Sequence, residues 1–277
     1  MANMTGQHII LLGCGKMGSA LLRGWLADST LEADFTIIEP YDDAVAWLPQ
    51  LDNLRRYSSV SEAASAAVPK ADFVLLAVKP QMMADAASDL KSLSHDMTAY
   101  LSIAAGLSCD WLSNHLGTEA AILRSMPNTP AAIGKGITAL YANMHVRSEQ
   151  RAFASQLLRA VGVVVDLPNE TLMDAVTALS GSGPAYIFHM AEAMAAAGEQ
   201  LGLPEALAHQ LARQTIAGAG ALLEQSDEAA STLRETVTSK GGTTAAALSV
   251  LQSDNGLHAL LMNAMQAAYD RSKELGA

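Results

Sequence analysis

A chain of 277 residues, half of them hydrophobic, has enough core-forming material for one large domain or two ordinary ones, and is globular. With 17 basic against 28 acidic residues its formal charge is −11, so a nucleic-acid backbone would be repelled and is not an expected partner. The stretch before Gly13 lacks lysine and arginine and its apolar core is too short for a signal peptide, and the later apolar helices are interrupted by charge or glycine before about 18 residues; the expectation is a soluble, cytoplasmic protein with no membrane partner.

The first predicted element is Ile9-Ile10-Leu11-Leu12, which breaks into Gly13-Cys14-Gly15-Lys16-Met17-Gly18 and resumes as a helical apolar pattern over 20–26. This reads as strand, turn and helix. Gly13 permits the tight turn, Gly15 lets the backbone approach a pyrophosphate, and Gly18 lets the helix lie close on the sheet, with free N–H groups at the helix start facing the anion. A dinucleotide is the expected occupant; a glycine turn without a ligand is the alternative. Cys14 and Cys109 show no CxxC spacing, so neither a disulfide nor a metal site is expected.

Short β-rich runs follow at 35–38, 73–78, 99–103, 122–123, 137–140 and 163–165, separated by helical stretches over 42–50, 61–67, 82–93, 108–116 and 148–161. The alternation predicts a parallel, doubly wound, Rossmann-like sheet over residues 1–167. Glu39 follows the second run 21 positions after Gly18, where an acid accepts hydrogen bonds from the adenosine ribose hydroxyls. A carboxylate there repels a 2′-phosphate and no arginine follows immediately, which leans toward NADH over NADPH; a solvated strand-end acid is the alternative. Ala77-Val78-Lys79-Pro80 ends a strand at the carboxyl edge, with Pro80 holding Lys79 out of helical geometry, so its backbone is placed to border the cofactor. The small residues around Ala104 suit a loop passing close to a nicotinamide ring, although small residues also simply pack. In Met126-Pro127-Asn128-Thr129-Pro130 two prolines stiffen a loop that presents Asn128 toward a substrate, or that merely forms a self-bonded turn.

Beyond Pro168 the β-runs stop, and residues 168–277 read as an all-helical domain with helices over 172–179, 185–201, 205–223, 230–237, 244–251 and 257–275. Their small residues permit close packing and widen the apolar stripes beyond what one small bundle buries, which implies self-association, against a compact monomer. Two turns interrupt them, Ser180-Gly181-Ser182-Gly183-Pro184 and Thr238-Ser239-Lys240-Gly241-Gly242-Thr243-Thr244. A small-residue turn at a positive helix end can hold a carboxylate, with Ser239, Thr243 and Thr244 adding hydroxyls; each turn taken singly also suits an ordinary N-cap.

Together the glycine turn, Ala77–Pro80, Met126–Pro130, the run from Leu179 through Tyr186 and the run from Val237 through Thr244, in that order, resemble pyrroline-5-carboxylate reductase over nearly the whole chain. The resemblance implies a Rossmann domain followed by a helical domain that intertwines with that of a second copy, a dimer or a ring of dimers, and NAD(P)H as cofactor. It implies hydride transfer to the imine carbon of 1-pyrroline-5-carboxylate, giving L-proline. It assigns the substrate carboxylate to Ser239, Gly242, Thr243 and Thr244, sets Thr244 opposite the ring nitrogen, and puts Glu170 in the same region. Three positions depart from the family pattern. Lys240 stands where many relatives have proline, Glu39 where a small or phosphate-friendly residue is common, and Thr236 where some have asparagine. A β-hydroxyacid dehydrogenase would want a lysine base, and Lys240 is the only lysine in the two matched loops of the helical half. A dinucleotide-sensing protein without catalysis would not need the Gly241–Thr244 turn.

Overall fold

Buried apolar runs bounded by turn residues become the strands of one eight-stranded sheet. In the computed structural model, which describes residues 6–276, the elements run β1 (Gln7–Leu12), α1 (Lys16–Ala27), β2 (Ala33–Ile38), α2 (Asp42–Val45), β3 (Leu54–Tyr57), α3 (Val60–Ser65), β4 (Ala71–Leu76), α4 (Met83–Leu90), β5 (Ser94–Ser102), α5 (Cys109–Leu116), β6 (Ala121–Met126), β7 (Gly136–Ala142), α6 (Ser148–Arg159) and β8 (Gly162–Asp166). The spatial order is β3-β2-β1-β4-β5-β6-β7-β8. The order reverses between β1 and β4, which opens the crevice where ligands of such sheets bind.

The sheet is parallel and doubly wound as expected, with one exception that the sequence did not foretell, since β6 and β7 run antiparallel while the remaining neighbours are parallel. Their connection holds only a short 3₁₀ turn, Thr129–Ile133, and is too short for the crossover that a parallel pair requires. A further strand, β3, lies where the sequence shows no apolar run. The helix expected over 42–50 ends at Val45, in keeping with the helix-breaking bias that Pro49 puts on Leu48.

Alternate side chains of the central strands feed two cores. Ile9 and Leu11 pack with Leu21, Trp25, Phe153 and Leu157 on one face, and Ile10 and Leu12 with Met83, Leu90 and Leu112 on the other. Each such side chain contributes about 1.5–3 kcal/mol by leaving water. The indole N–H of Trp25 donates to the Leu157 carbonyl at 2.8 Å, tying α1 to α6.

The chain forms two compact units, one comprising the described residues through Gly181 together with those from Tyr269 onward, the other Ser182–Ala268. Helix α7 (Met173–Val176) and the π turn Thr177–Gly181 belong with the sheet unit, and Met173 and Ala178 are buried. The second unit carries α8 (Gly183–Gln200), α9 (Glu205–Gln225), α10 (Ala230–Thr236), α11 (Thr243–Leu251) and most of α12 (Leu257–Leu275). Helices α8 and α9 approach through small residues. A Cβ on Gly198 would stand 3.4 Å from that of Ala208, and Ala195, Ala208 and Ala212 are the buried positions of the pair. By contrast α10 and α11 bury no residue, and Phe188, Leu201, Leu222, Leu223 and Val250 are all exposed. That much apolar surface left in water is the mark of an association face. Among the described residues no helix is long and apolar enough to cross a membrane.

Candidate active site

The glycine turn joins β1 to α1 at the carboxyl edge, and each glycine has a different reason to lack a side chain. Gly13 sits at φ +92°, and a Cβ there would stand 2.8 Å from the Ala77 carbonyl oxygen. A Cβ on Gly18 would stand 2.4 Å from the Gly13 carbonyl oxygen, so only glycine lets α1 lie this close to its own turn. Gly15 is exposed, with nothing within 4 Å of where its Cβ would be. It is the N-cap of α1, which has no side-chain cap and no acid in its first turn, so the amides at Lys16 and Met17 begin a helix whose positive end faces open space. This is a cradle that fits a pyrophosphate.

Neighbouring strands complete its walls. The Ala77 N–H donates to the Leu12 carbonyl at 2.8 Å, bringing Ala77 and Val78 beside the turn, and Lys79 is extended ahead of Pro80, which starts a 3₁₀ turn. Ala104 follows β5, and its N–H donates to the Ser102 hydroxyl at 3.2 Å. Gly13–Gly18, Glu39, Ala77–Pro80 and Ala104 are thus gathered at the carboxyl ends of β1, β2, β4 and β5.

Glu39 is buried and turned toward the cradle, where its carboxylate accepts the Cys14 N–H at 2.7 Å and the Tyr41 N–H at 3.1 Å. These bonds use two of the carboxylate's roughly four lone-pair positions and fix it at the rim of the turn. The Cys14 thiol is held above its ordinary range by burial, with the Glu39 charge adding to the effect and the Ser19 hydroxyl opposing it. Arg56 also reaches this edge from β3, the strand the sequence hides. Its Nη2 donates to the Glu39 carbonyl at 3.0 Å and pairs with Asp42 at 2.6 Å. An arginine therefore stands beside the second strand's end without following it in sequence.

Asn128 and Glu170 bind the protein itself. The Asn128 amide accepts the Ile137 N–H at 3.0 Å and donates to the Ser180 carbonyl at 3.1 Å, bolting the proline loop to β7 and to the π turn. Glu170 accepts from Arg124 at 2.5 Å and from the Cys109 N–H at 2.6 Å, so it caps α5 and neutralises a buried guanidinium. Each side chain lies against a strand or helix end whose polar groups must be satisfied, so both tie the loops beside them to the sheet unit.

In the helical unit, Ser239 through Thr244 form the turn into α11. Gly241 has φ +73°, the Gly242 N–H donates to the Ser239 carbonyl at 3.0 Å, and a Cβ on Gly242 would stand 2.5 Å from the Ser239 hydroxyl oxygen. Gly242 is the N-cap of α11 with no side-chain cap. The amides of Thr243, Thr244 and Ala245 therefore lead a helix whose positive end is available to an anion.

The dimerisation profile of pyrroline-5-carboxylate reductase matches residues 170–275, and a profile described as NADP oxidoreductase, coenzyme F420-dependent, matches residues 8–106. The pyrroline-5-carboxylate reductase of Haemophilus influenzae is 40% identical over 273 residues, covering 98% of both chains, and that of Pseudomonas aeruginosa is 39% identical over 272 residues, again covering 98% of both. Among solved structures, a pyrroline-5-carboxylate reductase from Coxiella burnetii superposes with a TM-score of 0.88 at 34% identity, covering 99% of this chain and 100% of that one. A pyrroline carboxylate reductase from Plasmodium falciparum with NADP bound superposes with a TM-score of 0.81 at 29% identity, over 99% of this chain and 100% of that one.

Proposed function

This chain belongs to the pyrroline-5-carboxylate reductase family, and from that premise we propose how its own residues divide the work of the reaction. It is an oxidoreductase that reduces 1-pyrroline-5-carboxylate to L-proline with NAD(P)H, the last step of proline biosynthesis, and it self-associates through its helical domain. The bound nicotinamide supplies a hydride to the imine carbon, and the nitrogen takes up one proton.

The Gly13–Gly18 cradle holds the pyrophosphate, Ala77–Pro80 and Ala104 border the nicotinamide side, and Glu39 accepts from the ribose hydroxyls. The turn from Ser239 through Thr244 receives the substrate carboxylate on the first amides of α11, with the Ser239 and Thr243 hydroxyls beside them. Thr244 orients the ring nitrogen. Asn128 and Glu170 act as positioning residues, since their polar atoms already serve the loops that frame the site. Substrate enters as the iminium or takes its proton from water, and positioning provides most of the rate. A cytoplasmic location is part of the same proposal.

The uncapped start of α11 carries this reading, because Gly242 leaves its leading amides without a side-chain acceptor. The experiment is to follow NADH and NADPH oxidation with 1-pyrroline-5-carboxylate in wild type and Thr244→Ala. The expected outcome is a fall in kcat of about tenfold or more, the scale of one lost orienting group, with the cofactor KM nearly kept. An unchanged kcat removes Thr244 from the mechanism.

A further inference from the structure

The carboxyl ends of β2 and β3 place one cation where the second ribose hydroxyl of a dinucleotide is read. β2 and β3 pair in parallel with Ile37 opposite Arg56 and Ile38 opposite Tyr57, so Arg56 comes up alongside the turn from Glu39 to Asp42. Its Nη2 is the shared donor to the Glu39 carbonyl and the Asp42 carboxylate. The two partners differ in how firmly they hold it. The carbonyl belongs to a buried residue, whereas the Asp42 side chain is 87% exposed and that of Arg56 is 32% exposed. The Arg56–Asp42 pair is therefore open to water on its Asp42 side, where solvent competes for the cation, whereas the bond to the Glu39 carbonyl is anchored on a buried residue. Glu39, the acid that would repel a 2′-phosphate, has its carboxylate turned the other way, onto the Cys14 and Tyr41 amides.

We propose that Arg56 is the residue that takes the 2′-phosphate of NADPH, exchanging Asp42 for the phosphate while its bond to the Glu39 carbonyl keeps it in place. This rests on the dinucleotide reading of the glycine cradle and reverses the lean toward NADH drawn from Glu39 alone. A planar guanidinium suits a phosphate monoester because it donates two parallel hydrogen bonds, and a nearby arginine is the usual means by which this fold accommodates the 2′-phosphate. Asp42 gives the cation a partner when the cofactor has none to offer, as with NADH. One chain then serves both cofactors, with Glu39 for a ribose hydroxyl and Arg56 for a phosphate.

The test uses binding rather than turnover. Calorimetric titration of the full chain with adenosine 2′,5′-bisphosphate and with 5′-AMP reads the 2′-phosphate contribution directly. Wild type is expected to bind the bisphosphate about tenfold or more tightly than AMP, and Arg56→Ala to lose that ratio while AMP affinity stays within about twofold. Arg56→Lys should retain part of it, and Asp42→Asn, at an exposed position that leaves the backbone bonds intact, should tighten the bisphosphate selectively. A ratio near one in wild type, or equal losses for both ligands in Arg56→Ala alongside an indifferent Asp42→Asn, overturns the proposal alone. Failure of wild type to bind AMP, the bisphosphate and NADH overturns it together with the dinucleotide reading beneath it.

Discussion

The three glycines of the first turn separate folding from binding, and alanine at each should give a different pair of results. At Gly15 the backbone is at φ −67° and ψ −164°, which alanine adopts freely, and no atom lies within 4 Å of the new methyl. Its folding free energy should therefore stay within about 0.5 kcal/mol of wild type. The same methyl fills the open face of the cradle and holds the phosphate off the leading amides of α1. Losing one charge-assisted hydrogen bond, at about 1.5–3 kcal/mol, weakens NADH and NADPH alike by roughly 10- to 150-fold. Gly18→Ala acts in the opposite sense, because its Cβ would stand 2.4 Å from the Gly13 carbonyl oxygen and α1 must lift off the turn. Overpacking of that kind costs about 1–3 kcal/mol, which for a body of this size lowers the melting midpoint by roughly 2–12 °C. Gly13→Ala adds about 1–2 kcal/mol of left-handed backbone strain, at φ +92°, to a 2.8 Å clash with Ala77, and should lose both stability and affinity. Scanning calorimetry paired with titration of NADH and NADPH reads all three. If Gly15→Ala melts as early as Gly18→Ala, or binds both cofactors at full strength, the assignment of open and closed positions in the turn is wrong.

Two further perturbations address the groups around α5. Arg124 is 8% exposed and Glu170 24% exposed, so Arg124→Met strands a half-buried carboxylate. Breaking such a pair costs up to about 3–5 kcal/mol, and the partial exposure of Glu170 brings the expected loss to about 2–3 kcal/mol. Urea midpoints of Arg124→Met and of Arg124→Met with Glu170→Gln should show the double variant recovering part of that loss; a single-variant loss below about 0.5 kcal/mol would contradict the buried pair. The Cys109 thiol is pushed up to about 12, first by burial and then by the Glu170 charge, with Arg124 opposing. An unfolded cysteine titrates near about 8.5, so between these values the native state keeps a proton that the unfolded state releases. The stability this provides is fully present below the unfolded value and is lost as pH rises toward 12. Wild type should therefore lose more stability than Cys109→Ala between pH 7.5 and 10, and Cys109 should resist thiol reagents at pH 8 until the chain is unfolded; equal pH dependence of the two chains would refute this.

The parts of the fold that local pattern controls were legible in the sequence. The glycine turn, the strand runs at 9–12, 35–38 and 73–78 and the long helices over 185–201 and 205–223 all become elements, because apolar period and turn residues act over a few positions. What escaped depends on distant partners. β3 is Leu54-Arg55-Arg56-Tyr57, an edge strand whose charged residues hide it from hydrophobic periodicity, and losing it also hid Arg56 from the reading of the cofactor edge. Pairing direction between β6 and β7 follows from connection length rather than from composition. The bonds of Asn128 to Ser180 and of Glu170 to Cys109 and Arg124 join positions 46 to 61 residues apart, which no local pattern reveals.

In chain order the helical unit is an insertion within the sheet unit rather than a segment that follows it. The chain leaves the sheet unit after Gly181 and returns at Tyr269, where Ser272 donates to Asp174 at 2.7 Å and the backbone at Leu275 lies against Gly106, 3.0 Å from where a side chain would begin. A shortened protein that stops at Gly181 would thus discard the plug over the turn that follows β5, leaving Gly106 uncovered and Asp174 without its hydroxyl. To excise the helices cleanly, one would cut them out from between two stitches and rejoin the ends.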